Sequence, residues 1–224
     1  MAMRQILLTS ILLFLFAVAG TSLVAITFDA TQERIAANER AALLHNLHLI
    51  IRPEQHNNDL FSDVIEIQDP TLLGTRSPVL VYRARQDGEP VAAVLSPVAP
   101  DGYSGNIKLL VGIHVDGSLA GVRVLNHRET PGLGDAIEVE RSDWILGFTG
   151  RSLGNPVLDQ WTVKRDGGVF DQFTGATITP RAVVNAVKKS LIYFDRNRER
   201  IFARPAQDQG IEQALSTEAQ EAGE

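Results

Sequence analysis

Two stretches of this chain combine residue types and spacing that can do chemistry. The first is His127-Arg128-Glu129-Thr130-Pro131-Gly132-Leu133-Gly134-Asp135. A Pro-Gly pair forces a turn there, and small residues let another group approach the backbone. The second runs from Asp171 to Pro180, with Thr174, Thr177 and Thr179 set around Gly175 and Ala176. It stands just before an apolar helical pattern. A helix N-terminus carries free N–H donors and a partial positive charge, which favour phosphate. Two readings follow for this run, a phosphate-binding loop or a plainly capped helix start with Thr179 as the N-cap and Pro180 in the first turn.

Other candidates fall away. Gly102-Tyr103-Ser104-Gly105 begins like a nucleophile elbow, but Asn106 stands where the final glycine belongs. Gly132-Leu133-Gly134 lacks the third glycine of a dinucleotide fingerprint, because position 137 is Ile137. His45 and His48 lie one helical turn apart with no third ligand spaced for a metal. His114 and His127 are isolated. The sequence has no cysteine, which excludes thiolate metal sites, iron–sulfur clusters, disulfides and a cysteine nucleophile. A formal charge of −6 argues against a dedicated nucleic-acid binder.

Thr174-Gly175-Ala176-Thr177, with Asp171 upstream and Thr179 after it, is similar to the flavin-attachment motif of the covalent FMN-binding domain family. Glu129-Thr130-Pro131-Gly132-Leu133-Gly134 is similar to that family's other signature. The run Ala99 to Gly105 and Leu110-Val111-Gly112 add to the likeness. With its apolar amino terminus, the chain resembles the G subunits of Rnf-type ion-motive electron-transport complexes. The C subunits of sodium-pumping NADH:quinone reductases share the same motifs.

The resemblance implies one FMN per chain, joined by a phosphoester to Thr177 by a separate flavin transferase that consumes FAD. Gly175 and Ala176 then keep the acceptor's surroundings small. Asp171 would position a metal or the hydroxyl during transfer. Glu129, Thr130 and Leu133 are expected to border the flavin, with Lys164 near it or, alternatively, a solvated strand residue. Tyr103 and Trp161 either cover the ring or fill the core. No catalytic residue and no resident metal are expected, and no diffusible substrate is turned over. The implied role is electron relay beside other membrane subunits of a redox-driven translocase.

These residues need elements to hold them. Val79–Arg85 alternates and ends at Asp87-Gly88, a hairpin signal, with Val91–Val98 as its partner. Ile107–Val115 and Leu119–Leu125 flank Asp116-Gly117-Ser118, the clearest hairpin. Trp161–Lys164 reads as a short strand. Val183, Val184, Val187, Leu191 and Phe194 give a helix from Pro180 to about Phe194 one apolar stripe. The fold class is therefore α+β with a mostly antiparallel sheet and flanking helices.

Between Arg4 and Asp29 lie 24 residues without a charge. As a helix they reach ~36 Å, enough for a ~30 Å hydrocarbon core. A cleaved signal peptide with Ala17-Val18-Ala19 as its cleavage site is the competing reading. Continuation of the apolar run through Leu23 to Ile26 favours a retained anchor. Arg4 and the amine precede the span, so the amino end is expected in the cytoplasm and the flavin domain in the periplasm, across a bacterial inner membrane. A helix from Phe28 to about Ile51 follows, stopped by Pro53. The expected organisation is stub and transmembrane anchor over 1–28, helical stalk and connector over 29–78, FMN-binding domain over 79–204 and a disordered tail over 205–224. A membrane-tethered binding or sensor domain that never receives flavin is the rival from another class, and a non-covalent flavoenzyme is a third.

Overall fold

A computed structural model describes residues 2–203, so the expected tail lies outside the described residues. Residues up to Asn46 form one compact unit and residues from Leu47 onward another. The first is the greater part of helix α1 (Ala2–Ile50, 49 residues), which is long and apolar enough to cross a membrane. Its apolar side chains from Ile6 to Phe28 are exposed, as suits a lipid-facing surface. Thr9, Thr21 and Thr27 each donate their hydroxyl to the carbonyl four residues earlier, which removes the cost of carrying a hydroxyl into an apolar phase.

The second unit is built on a six-stranded antiparallel sheet. Its strands are β1 (Val64–Ile67), β2 (Val79–Gln86), β3 (Glu89–Leu95), β4 (Val98–Gly102), β5 (Gly105–His114) and β6 (Leu119–Asn126). A four-residue helix, α2 (Pro70–Leu73), links β1 to β2, and α3 (Ile178–Phe202) follows a long irregular segment. The order is β1-β2-β3-β5-β4, with β6 on the other edge of β5. Strand β5 is the centre of the sheet. Its one edge pairs with β3 over Val111–His114 and with β4 over Gly105–Lys108.

Both faces of β5 are buried, which accounts for its nearly continuous apolar run. Ile107, Leu109, Val111 and Ile113 join the main core beneath α3, where Val183, Val184, Val187, Leu191 and Phe194 pack as the stripe predicts. On the opposite face Gly112 and Gly121 are cross-strand partners, and Ile50 packs against both.

Both expected hairpins form. The β2–β3 turn has positive φ at Asp87 (53°) and Gly88 (83°), as a type I′ turn requires. In the β5–β6 turn the Asp116 carboxylate accepts bonds from the Ser118 amide and hydroxyl. The single strand expected over Val91–Val98 is instead two, β3 and β4, broken at Ser96-Pro97. Proline has no N–H for the ladder, so the chain bends there. The short strand expected at Trp161–Lys164 is not a strand. Val163 makes one parallel bridge to Phe170, and Lys164–Asp166 is a 3₁₀ turn. Strand β1 and helix α2 lie in the segment read as a connector. Helix α1 ends before Pro53, as expected, but runs unbroken from Ala2.

Candidate functional site

The loop between β6 and α3, residues 127–177, has no regular α or β element and is held by long-range contacts. Phe148 stacks on Phe170 and Trp161, all three buried. Trp161 is therefore a core residue. The Trp144 indole N–H donates to the Asp171 carbonyl (2.8 Å), and its ring meets Phe173 edge-on. The Lys164 ammonium donates to the Asp171 carboxylate at 2.6 Å. These contacts fix the start of the threonine-rich loop.

The loop then turns. Ala176 N–H donates to the Phe173 carbonyl, and Gly175 takes φ +83° between them. A side chain would be strained there, so this glycine is set by the turn. Helix α3 begins immediately afterwards, and Thr177, not Thr179, occupies the N-cap position. This corrects the expected cap. Thr177 has helical backbone angles (φ −70°, ψ −27°) and its side chain makes no capping bond. The Thr177 hydroxyl, half-buried, is thus not engaged in capping its own helix. Thr179 lies inside the first turn, fully buried.

Next to this turn lies a cavity of about 360 Å³. The β4–β5 turn contributes Tyr103. The loop after β6 contributes Glu129, Thr130, Leu133 and Gly134, and the start of α3 contributes Gly175 through Thr179. The second loop is closed on itself by bonds from the Leu133 and Gly134 amides to the Thr130 carbonyl, with Gly132 at φ +77°. Leu133 reaches to 3.5 Å from where a Cβ on Gly175 would stand, so the two motif stretches touch.

Glu129 is the one charged side chain among the described residues of the cavity wall, and it is 4% exposed. Its Oε1 accepts from the Ser104 amide (2.9 Å), and its Oε2 accepts from the Thr179 hydroxyl. Its own amide donates to His127 Nδ1 at 2.9 Å. His127 Nε2 stands 2.9 Å from Glu138 Oε1. With Nδ1 accepting, the neutral ring carries its proton on Nε2, directed at that carboxylate. At the other end of the loop Arg181 makes a bidentate pair with Asp166 (2.7 and 3.0 Å), tying the 3₁₀ turn to α3. The bond from Arg181 holds the Asp166 carboxyl below its usual value.

The structure gathers seven of the ten expected site residues on one cavity: Glu129, Thr130, Leu133, Gly175, Ala176, Thr177 and Thr179. It leaves three off the lining. Thr174 is exposed on the turn, and Lys164 and Asp171 pair with each other nearby. Tyr103, left open between ring cover and core, lines the cavity and is 68% exposed. Gly134 and Ile178 were not anticipated as lining residues. An apolar side chain at the first position of a helix is the one local signal for Ile178.

An apolar-walled concavity with hydroxyls, a carboxylate and a helix start suits a ligand that is part phosphate and part planar ring. Comparison with known proteins agrees. Residues 102–192 match the FMN-binding domain family, and residues 1–50 match the RnfG N-terminal region. The G subunit of the ion-translocating oxidoreductase complex from Shewanella loihica is 51% identical over 203 residues, covering 91% of this chain and 96% of that protein. The Pseudomonas aeruginosa counterpart is 50% identical over 200 residues, covering 89% and 94%. That of Vibrio atlanticus is 47% identical over 195 residues, covering 87% and 93%. The chain belongs to this G-subunit family. The α1 segment is part of the match, and the FMN-binding region spans every residue that lines the cavity.

Proposed function

We propose that this chain is the membrane-anchored flavoprotein subunit of an ion-translocating oxidoreductase complex, relaying electrons through FMN joined covalently to Thr177. The observation that carries the reading is the Thr177 hydroxyl. It belongs to a cavity-lining residue at a helix start and takes no part in capping. A threonine at an N-cap position ordinarily bonds to an amide of the first turn. Here that bond is not made, and the oxygen remains available as an acceptor.

In maturation Thr177 Oγ forms a bond to the phosphorus of the FMN half of FAD. The diphosphate linkage breaks, AMP leaves, and the hydroxyl proton is released. A flavin transferase supplies the catalysis. The residues that would hold the product are those of the cavity. The α3 start and Thr177 would face the phosphate, while Tyr103, Leu133 and Ile178 would offer apolar surface to the ring. Bound flavin supplies one- and two-electron transfer. Tethering suits a carrier on the periplasmic side of the inner membrane, where a released cofactor is lost. A single span with no charge between Arg4 and Asp29 offers no ion path, so ion movement belongs to the other membrane subunits.

The test uses the full chain in membranes, co-produced with a flavin transferase. A fluorescent band that survives SDS, an intact mass raised by one FMN less one water, and loss of both in Thr177→Ala are expected. No fluorescence from the wild-type chain, or an undiminished band in Thr177→Ala, would refute the assignment. Flavin released by denaturation would indicate non-covalent binding instead.

A further inference from the structure

We infer that the Glu129 carboxylate and the Thr179 hydroxyl are positioning residues that hold the Thr177 loop in the form competent to receive flavin. The inference rests on the reading of Thr177 as the attachment site. Two segments distant in sequence, the β4–β5 turn and the start of α3, meet on this one carboxylate. Oε1 is held by the Ser104 amide of the β4–β5 turn. Oε2 is held by the Thr179 hydroxyl, two residues after Thr177. Two glycines make room for it. A Cβ on Gly102 would stand 2.9 Å from Oε1, and a Cβ on Gly134 would stand 2.8 Å from Glu129 Cβ and 3.1 Å from both Oε2 and Thr179 Oγ1.

Gly134 has no positive φ, so close approach to the carboxylate, not backbone conformation, is what demands glycine there. Thr179 is fully buried and Glu129 is 4% exposed, so their bond is made away from bulk water and losing either partner leaves the other poorly satisfied. Both side chains are spent on one another and on Ser104, whereas Thr177 makes no capping bond. Glu129 thus acts on the acceptor through Thr179, and its work is to fix the first turn of α3 against the sheet.

The experiment measures the rate of covalent labelling of full-length protein by transferase and FAD. It also measures hydrogen–deuterium exchange of amides 174–181 before labelling. Thr179→Val keeps the shape and removes the hydroxyl. It is expected to slow labelling roughly tenfold or more, the factor carried by a lost hydrogen bond to a buried charged group, and to speed exchange similarly. Thr179→Ser restores the hydroxyl and is expected to restore both. Glu129→Gln presents an oxygen to Ser104 and an N–H to Thr179, so labelling should persist at roughly a tenth to a quarter of the wild-type rate, the loss expected when a charged bond becomes a neutral one. Should Thr179→Val not accumulate as folded protein, Gly134→Ala carries the same expectation, because its Cβ displaces the carboxylate.

Wild-type labelling and exchange in Thr179→Val would overturn the inference. So would Thr179→Ser behaving like the valine variant, or Glu129→Gln abolishing labelling, since the last would make the charge itself chemical. Persistent labelling of Thr177→Ala would instead strike at the attachment site, and the exchange data would still test the clamp.

Discussion

The packing of Ile50 on the sheet gives a prediction whose size follows from the geometry. A Cβ built on Gly112 would lie 2.1 Å from Ile50 Cγ2, while one on the paired Gly121 would lie 3.8 Å from the same atom. Carbon atoms rest at about 3.5–4.0 Å, so Gly112→Ala requires a shift of about 1.5 Å and Gly121→Ala requires none. Ile50 is β-branched and stiff at χ1, so the shift must come from backbone. Overpacking of this kind costs about 1–3 kcal/mol. At about 2–4 °C per kcal/mol for a domain of this size, Gly112→Ala should melt about 2–12 °C lower. Ile50→Ala alone leaves a hole worth about 2–5 kcal/mol. In the double variant the new methyl enters that hole, so the combined loss should fall short of the sum by about 1 kcal/mol or more. Thermal and urea unfolding of the detergent-solubilised full chain measures all four proteins. Equal melting of Gly112→Ala and Gly121→Ala, or strict additivity, would show that Ile50 does not seat in the glycine-floored notch.

The carboxyl end of α3 is held by two buried guanidinium groups. Arg83 donates to the Ile201 and Ala203 carbonyls and pairs with Asp63, while Arg85 donates to the Phe202 carbonyl and to Asp63. Arg83→Met should therefore cost about 3 kcal/mol, the low end for a broken buried pair because Arg85 still serves Asp63; an unchanged urea midpoint would exclude the role. The Asp166–Arg181 pair sets a pH dependence. Its carboxyl is held below the usual 3.8 by the bond from Arg181, so the pair's contribution is complete above the unfolded value and is lost as pH falls through the folded one. The melting difference between wild type and Arg181→Met should accordingly be present near neutral pH and shrink towards zero as the pH is taken down through and below the usual carboxylate range; a constant difference would refute it.

What the residues reveal on their own depends on how far away their partners are. The β2–β3 and β5–β6 hairpins are legible because alternation and turn residues are local, and Asp87-Gly88 and Asp116-Gly117-Ser118 carry their own geometry. The apolar stripe of α3 is legible for the same reason. The break at Ser96-Pro97 is legible in principle, since proline in an apparent central strand argues against continuity. Segment 127–177 is not. Its shape comes from the Trp144 indole meeting the Asp171 carbonyl and from the Phe148–Phe170 stack, and no periodicity encodes either. Thr179 shows the limit most sharply. Beside Pro180 it reads as a cap, and only the fold reveals that its hydroxyl serves a carboxylate 50 residues earlier.

The cavity and the proposed tether make sense together. At about 360 Å³ the cavity sits near the lower end of small-molecule sites. Its apolar wall is partly open, with Tyr103 68% and Leu133 and Ile178 each 44% exposed. A site so shallow encloses a planar ring incompletely and would hold a free ligand weakly. The proposed covalent link to Thr177 would remove that weakness, because rebinding would be intramolecular and the effective concentration would reach the millimolar range or above for a short tether. The same openness that would be a defect in a binding protein then becomes useful. In the proposed relay the ring must come within reach of successive partners, and a ring laid against Leu133 and Ile178 would keep an edge free for them. On the proposed reading Thr177 would supply retention, Glu129 and Thr179 would supply its placement, and the apolar wall would be left to orient the ring without having to bury it.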